Sequence, residues 1–484
     1  MTPTRPVIPF LAALVALSVA VPWAAAAEPG PAEGEAFSRE AITKDLRHLY
    51  ETLQAAHFDL YVHRSREAYD RRYEETLAAI DGPMSRLEAV RLFMPFVAFG
   101  QIGHARVDFP VADYIAYAMD GGTLLPLDVR IEGRRVFITH NYSDAAALAP
   151  GTELVAINGR PAQDWIERTG RYLSAERPYM VHAQLESMFP RLAWLDAGEI
   201  GHFDIEVRTG DAREATARVA AVPVITVEEQ KGAREALQHG READMLADRV
   251  AYLRPGPFYA AEEGETLETF KAFIDDAFER FLAADAQDLV IDLRNNPGGD
   301  NSFSDPMIAW IADKPFRFAS QFVVKASART RATLRELAQA DPGGISAQML
   351  AEMNRHDDGQ TFNFEIPRVQ PRESGFSGRV WALVNRHSYS NAASVAGIIQ
   401  DYGFGTILGE ETSDLPTSYA SSAQFSLPET GIAVTYPKAY FIRPSGDQSM
   451  RGVVPEHPLD FPVVAGEHDA VLQSARDLVL AKRP

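Results

Sequence analysis

The chain has 484 residues, 46% of them hydrophobic, enough for a large core shared among two or three domains. Its 47 basic and 67 acidic residues leave a formal charge of −20, which excludes nucleic acid as a partner because no basic surplus exists to meet phosphates. With no cysteine, disulfides, thiolate metal sites, a cysteine nucleophile and a lipidated cysteine anchor are excluded as well.

Residues 1–27 read as a secretory signal. Arg5 is the sole charged side chain there, 7–21 is apolar, and Ala25-Ala26-Ala27 offers a small-residue cleavage site after Ala27. The apolar run is short for a membrane anchor and is interrupted by Pro9 and Pro22. No other long apolar stretch follows, so no stable membrane span is expected after cleavage. The expected location is the periplasm or the medium. Residues 28–35 are rich in Pro, Gly and Glu and read as a disordered linker.

Residues 37–101 show helical spacing at Leu46, Leu49, Leu53 and again at Leu92, Phe93, Phe96, with a helix start at Met84-Ser85-Arg86-Leu87. The pattern breaks at Gly100-Gln101-Ile102-Gly103-His104. From 123 to about 226 the chain alternates like strands, with a turn at Glu132-Gly133. The stretch 145–159, with a helix at 163–173 after it, resembles a PDZ domain in degenerate form. That resemblance implies peptide binding by strand addition to a sheet edge. A β-rich spacer without that role fits the residues equally.

From 250 onward, strands at 250–253, 289–293, 380–384 and 406–409 alternate with helices at 267–284, 305–312 and 392–402, which implies α/β architecture. Strand-like runs follow at 425–428 and 432–437. The polar insert 327–377 is expected to lie over the core and is a candidate lid. The expected division is therefore 28–112 helical, 113–226 PDZ-like and 227–484 an α/β core.

Two segments carry the chemistry: DLVIDLRNNPGGDNS (288–302) and WALVNRHSYSNAASVAGIIQDYGFGTILGEET (381–412). Each starts as a buried strand. The first ends in Asn295-Asn296-Pro297-Gly298-Gly299, a turn with two residues free to take positive φ. The second ends at Ser388-Tyr389-Ser390-Asn391 and enters a helix. A serine at such a junction faces a cleft with a helix N-terminus behind it, which suits a nucleophile beside an oxyanion site. Taken on spacing alone, Ser390 could equally be a helix N-cap.

These blocks resemble the serine peptidases of the C-terminal processing / tricorn-core family (tail-specific protease-like), whose members carry "DLRxNxGG", then "VNxxSxSxA", "DYG" and "GExT". The resemblance covers most of 250–460 and extends weakly to about 40. It implies a crotonase-like (ClpP-like) core, a nucleophile at Ser390, and an oxyanion hole from the Gly298 and Gly299 turn and Asn391. Glu410, Glu411 and Thr412 then form a supporting block. The lysine that bacterial processing peptidases keep after the serine is replaced here by Leu415, and the first lysine beyond Ser390 is Lys438. The tricorn branch instead uses a histidine before the PDZ-like domain. His104, in Gly103-His104-Ala105-Arg106-Val107, matches it, although Gly103 stands where that branch keeps a serine. The branch's supporting carboxylate maps to Ser449, and Asp447 is the nearest acid.

The implied function is an exported serine endopeptidase acting on peptides or unfolded protein tails through an acyl-enzyme, with Ser390 and His104 as the catalytic pair and Asp447 orienting the histidine. Lys438 and His387 are alternative bases. A catalytically weak or inactive peptide-binding protein of the same fold is the alternative, and a hydrolase of small esters or amides a third reading. No cofactor and no metal are expected, since no HxxxH or paired-carboxylate motif sits on a helix. The oligomeric state stays open.

Overall fold

A computed structural model describes residues 36–483 apart from 263, 465 and 467. The signal at 1–27 and the linker at 28–35 lie outside the described residues. Three helices open the chain, Arg39–Ala56, Arg66–Ala78 and Arg86–Ala98. Each starts at a serine, Ser38, Ser65 or Ser85, whose side chain accepts an amide of the first turn. At Ser85 the Glu88 side chain returns the bond, closing a capping box. The first helix buries Ile42, Leu46, Leu49 and Leu53 at the expected spacing.

A second unit is an antiparallel sheet of Leu127–Glu132, Arg135–Asn141, Glu153–Ile157, His202–Arg208 and Glu214–Ala220, in that order. The helix Ala162–Gly170 agrees with the expectation at 163–173. The long helix Pro178–Ala197 and the helix Val224–His239 are elements that the sequence reading did not assign. One continuous core joins this sheet to the N-terminal helices and to Phe425, Val434 and Tyr436. The expected boundary at 112/113 is therefore not a break in packing.

The α/β unit is built on a six-stranded sheet ordered Glu242–Leu246, Val250–Arg254, Asp288–Asp292, Arg379–Val384, Thr406–Gly409 and His457–Pro458. All neighbours are parallel except the first pair. Asp288–Asp292 is buried along its whole length, as a central parallel strand must be. The helices Leu267–Ala283, Asn301–Ile311 and Asn391–Tyr402 cover one face. The C-terminal helix Ala470–Ala481 covers the other.

A five-stranded antiparallel sheet ties the chain's two ends together. Its spine, Ala433–Ile442, pairs with Ser418–Ser426 along one edge and with Arg106–Val107 and Gln321–Lys325 along the other. The insert adds the strand Thr361–Asn363 to this sheet and packs the helices Ala328–Ala340 and Ile345–Met353 on it through Leu334, Met349 and Met353.

Candidate active site

The carboxyl ends of three adjacent parallel strands converge on one crevice, where open α/β sheets place their ligands. Asp288–Asp292 runs into the Asn295–Gly299 turn, Arg379–Val384 into Ser390, and Thr406–Gly409 into Asp414. The first two turns are laced together. Asn295 N–H donates to Asn385 Oδ1 at 3.0 Å, and Asn385 Nδ2 donates back to Asn295 Oδ1 at 2.9 Å. The Ser388 hydroxyl donates to the Leu293 carbonyl at 2.7 Å, and Tyr389 N–H to the Asn296 carbonyl at 3.0 Å.

Ser390 sits at the mouth of the helix Asn391–Tyr402 with φ 53° and ψ −123°. A non-glycine residue held there costs about 1–3 kcal/mol, strain that clusters at functional turns and at strand-to-helix nucleophile elbows. Its side chain makes no capping hydrogen bond, so the N-cap reading does not apply. Its backbone N–H donates to Asp414 Oδ2 at 2.9 Å.

His104 reaches this crevice because Arg106–Val107 pairs with Thr435 and Val434. His104 is 8% exposed, and its ring centre lies 5.6 Å from that of Tyr389. Its Nε2 hydrogen-bonds the same Asp414 Oδ2, at 3.1 Å. Burial alone would push the imidazole below its ordinary range, but the Asp414 carboxylate outweighs that and holds it above. Asp414 is itself buried, with Leu415 N–H on Oδ1 at 2.8 Å. Thr412 fixes the loop, donating to the Asp414 carbonyl at 3.0 Å and accepting Val453 N–H at 2.8 Å.

The expected carboxylate, Asp447, lies elsewhere. It is exposed and turned onto its own loop, where Ser449 N–H and the Ser449 hydroxyl both donate to it at 2.9 Å. Those bonds hold its carboxyl below the usual range. The histidine's partner is Asp414, one residue before the missing lysine position.

Lys438 is also turned away. Its Nζ donates to the carbonyl and the hydroxyl of Ser421, each at 2.7 Å, and desolvation lowers its pKa to about 8. His387 pairs with Glu186, Nε2 to Oε2 at 3.2 Å. Glu410 holds Arg386, in the turn before Ser390, through Nη2 at 2.5 Å. Asp401 is bound by Arg443 at 2.7 Å.

The glycine turn has two different halves. Gly298, at φ 92°, lies so close to the serine that a Cβ on it would fall 2.6 Å from the Tyr389 carbonyl and 2.8 Å from Ser390 Cβ. Its N–H is committed to Asn296 Oδ1 at 2.9 Å, so it is not the free donor expected of it. Gly299 N–H and Asn391 N–H, the latter at the helix start, make no hydrogen bond among the described residues. Beside these groups opens a cleft of about 510 Å³, lined by Gly103, Pro297, Tyr389 and Ser413, the chain neighbours of His104, Gly298, Ser390 and Asp414. A larger cavity, about 660 Å³, lies behind the 99–101 segment away from Ser390. No residue of the insert lines the cleft, so the lid expectation finds no support.

Residues 249–459 match the family described as Peptidase family S41. Among solved structures, mature CPAF complexed with lactacystin is similar with a TM-score of 0.65 and 14% identity, over 92% of this chain and 97% of that one. Mature CPAF alone gives 0.62 and 14%, over 88% and 93%. These likenesses establish a shared fold. The family match, over the segment that carries both turns, marks the chain as a serine peptidase, a hydrolase acting on peptide bonds, within a multidomain α/β protein.

Proposed function

We propose that the chain is an exported serine endopeptidase that cleaves peptides or unfolded protein tails with Ser390 as nucleophile, His104 as base and Asp414 as the carboxylate that orients the histidine. The observation that carries this reading is the single oxygen, Asp414 Oδ2, bound by both Ser390 N–H and His104 Nε2. With Nε2–H donating to the Asp414 carboxylate, Nδ1 is left as the proton acceptor. The Ser390 hydroxyl gives its proton to the imidazole as Oγ bonds the scissile carbonyl carbon, and the carbonyl electron pair moves to oxygen. The amides of Gly299 and Asn391 receive that oxyanion, each such donor contributing about 3 kcal/mol to transition-state stabilisation. Collapse breaks the C–N bond, and the leaving amine takes the proton from His104. Water then repeats the sequence on the acyl-enzyme.

The reading extends to a crotonase-like core and a PDZ-like second unit that receives substrate. The edge strand Leu127–Glu132 supports the latter. At Ile131 its outward backbone groups are met by Glu186, which accepts the N–H at 2.7 Å, and by Arg386, which donates to the carbonyl at 3.0 Å. Val129, two residues back, presents its backbone the same way and lines the cleft. An extended peptide pairing at Val129 would run toward Ser390. Export rests on the signal-like 1–27 segment. No helix among the described residues is long and apolar enough to cross a membrane.

The test is hydrolysis of an unstructured protein by residues 28–484, alongside Ser390→Ala, His104→Ala, Asp414→Asn and Lys438→Ala. Loss in the first three with retention in the fourth supports the reading. Retention in His104→Ala overturns it. Lactacystin, which mature CPAF binds, is a ready probe: protection of Ser390 from a serine-directed label is the expected result.

A further inference from the structure

A strap of chain between the helices Ala162–Gly170 and Pro178–Ala197 crosses directly behind the histidine. Ser174 grips Ile102 twice, its hydroxyl donating to the carbonyl at 2.8 Å and accepting the N–H at 3.1 Å. Two residues on, Glu176 Oε1 accepts Gly103 N–H at 3.0 Å. Arg177 pairs with Glu411, and the Tyr179 hydroxyl donates to the Glu411 carbonyl at 2.6 Å. The strap thus binds the histidine turn on one side and the loop leading to Asp414 on the other.

Gly103 is small for a reason visible here. A Cβ on it would lie 3.1 Å from Glu176 Oε2. The volume that a side chain before the histidine would fill is taken by a carboxylate from a distant segment. Glu176 Oε2 makes no hydrogen bond among the described residues.

We propose that Glu176 is a positioning residue for His104: its Oε1 anchors the turn that carries the imidazole, and its charge favours the imidazolium that forms during acyl transfer. The inference rests on the Ser–His reading given above. The groups facing the imidazole are Asp414 from the loop after the third strand, Glu176 from the strap, Tyr389 from the nucleophile turn and Arg106 from its own strand. Those bearing on Glu176 are Asp414, His104 and the Gly103 amide. Burial, then the Asp414 charge, raises the Glu176 carboxyl to about 7, so it shares the neutral range with the histidine.

Glu176→Gln separates anchor from charge, because the amide oxygen still accepts Gly103 N–H. In wild type the Glu176 anion raises the His104 pKa, so its removal lowers it. The experiment compares kcat/KM against pH for wild type, Glu176→Gln, Glu176→Ala and His104→Ala, with an NMR titration of the His104 ring in the first two. The expected result for Glu176→Gln is an acidic limb and a ring titration that move together to lower pH by about half a unit, with kcat reduced and KM little changed. Glu176→Ala should lose further activity and melt earlier. A Glu176→Gln limb and ring titration that stay in place overturn the inference, whatever the rate. Retained activity in His104→Ala overturns instead the Ser–His reading beneath it.

Discussion

Asp414 Oδ2 lies 2.9 Å from the backbone nitrogen of Ser390 and 3.1 Å from Nε2 of His104. One carboxylate oxygen thus spans the strained serine turn and an imidazole that comes from the far end of the chain. A mutation there should act on both.

Asp414→Asn keeps the size of the side chain and removes its charge. The imidazole loses the partner that fixes its tautomer, and kcat should fall roughly 10²- to 10⁴-fold with folding intact. Asp447→Asn, on an exposed loop, should leave kcat/KM within about twofold of wild type. Steady-state kinetics on one fluorogenic peptide checks both.

The raised pKa of His104 has opposite signs for activity and for stability. A base must be neutral, so the acidic limb of kcat/KM should lie above 6.5, the unperturbed imidazole value. The ion pair with Asp414 stabilises the fold fully below the unfolded pKa, and that contribution is lost as pH rises through the folded pKa. Melting temperatures of wild type and His104→Gln should therefore differ most in mild acid and converge at alkaline pH.

Gly298→Ala requires a left-handed residue to accept a Cβ at 2.6 Å from one backbone oxygen and 2.7 Å from Asn391 N. Neither neighbour is a flexible side-chain end. The turn and the adjacent Gly299 and Asn391 amides must shift, and on the proposed reading activity should fall by at least about 100-fold. A crystal structure of the variant should show displaced Ser390.

Arg386 lies four positions before Ser390, 5% exposed. It binds Glu410, Glu186, Glu132 and the Ile131 carbonyl, so it rivets the second unit to the Ser390 turn. Arg386→Ala leaves buried Glu186 and half-buried Glu410 short of a cation and should cost about 3–5 kcal/mol, measured by urea unfolding.

The central strands, their helices and the two catalytic turns were legible because local sequence specifies them. An apolar β-branched run, a glycine pair and a helix start are each written within a few residues, and the structure follows with shifts of one to four positions at the ends. Asp414 was not legible, because its role depends on the path of a loop set by Thr412 holding Val453, 41 positions away. Glu176 left no local trace at all. It matters only because Gly103, 73 positions earlier, passes in front of it. Pro178–Ala197 shows no single apolar stripe, because apolar and polar residues alternate around it and it is buried on most sides, Glu186 and Arg191 included.

The short pairing of Arg106–Val107 with Thr435 and Val434 joins regions that leave the ribosome far apart in time. The imidazole emerges early, the serine and its carboxylate only near completion, 310 positions separating His104 from Asp414. A half-made or clipped chain therefore carries cutting parts that never meet. On the proposed reading, synthesis itself delays cleavage until the strand Ala433–Ile442 pairs with Arg106–Val107.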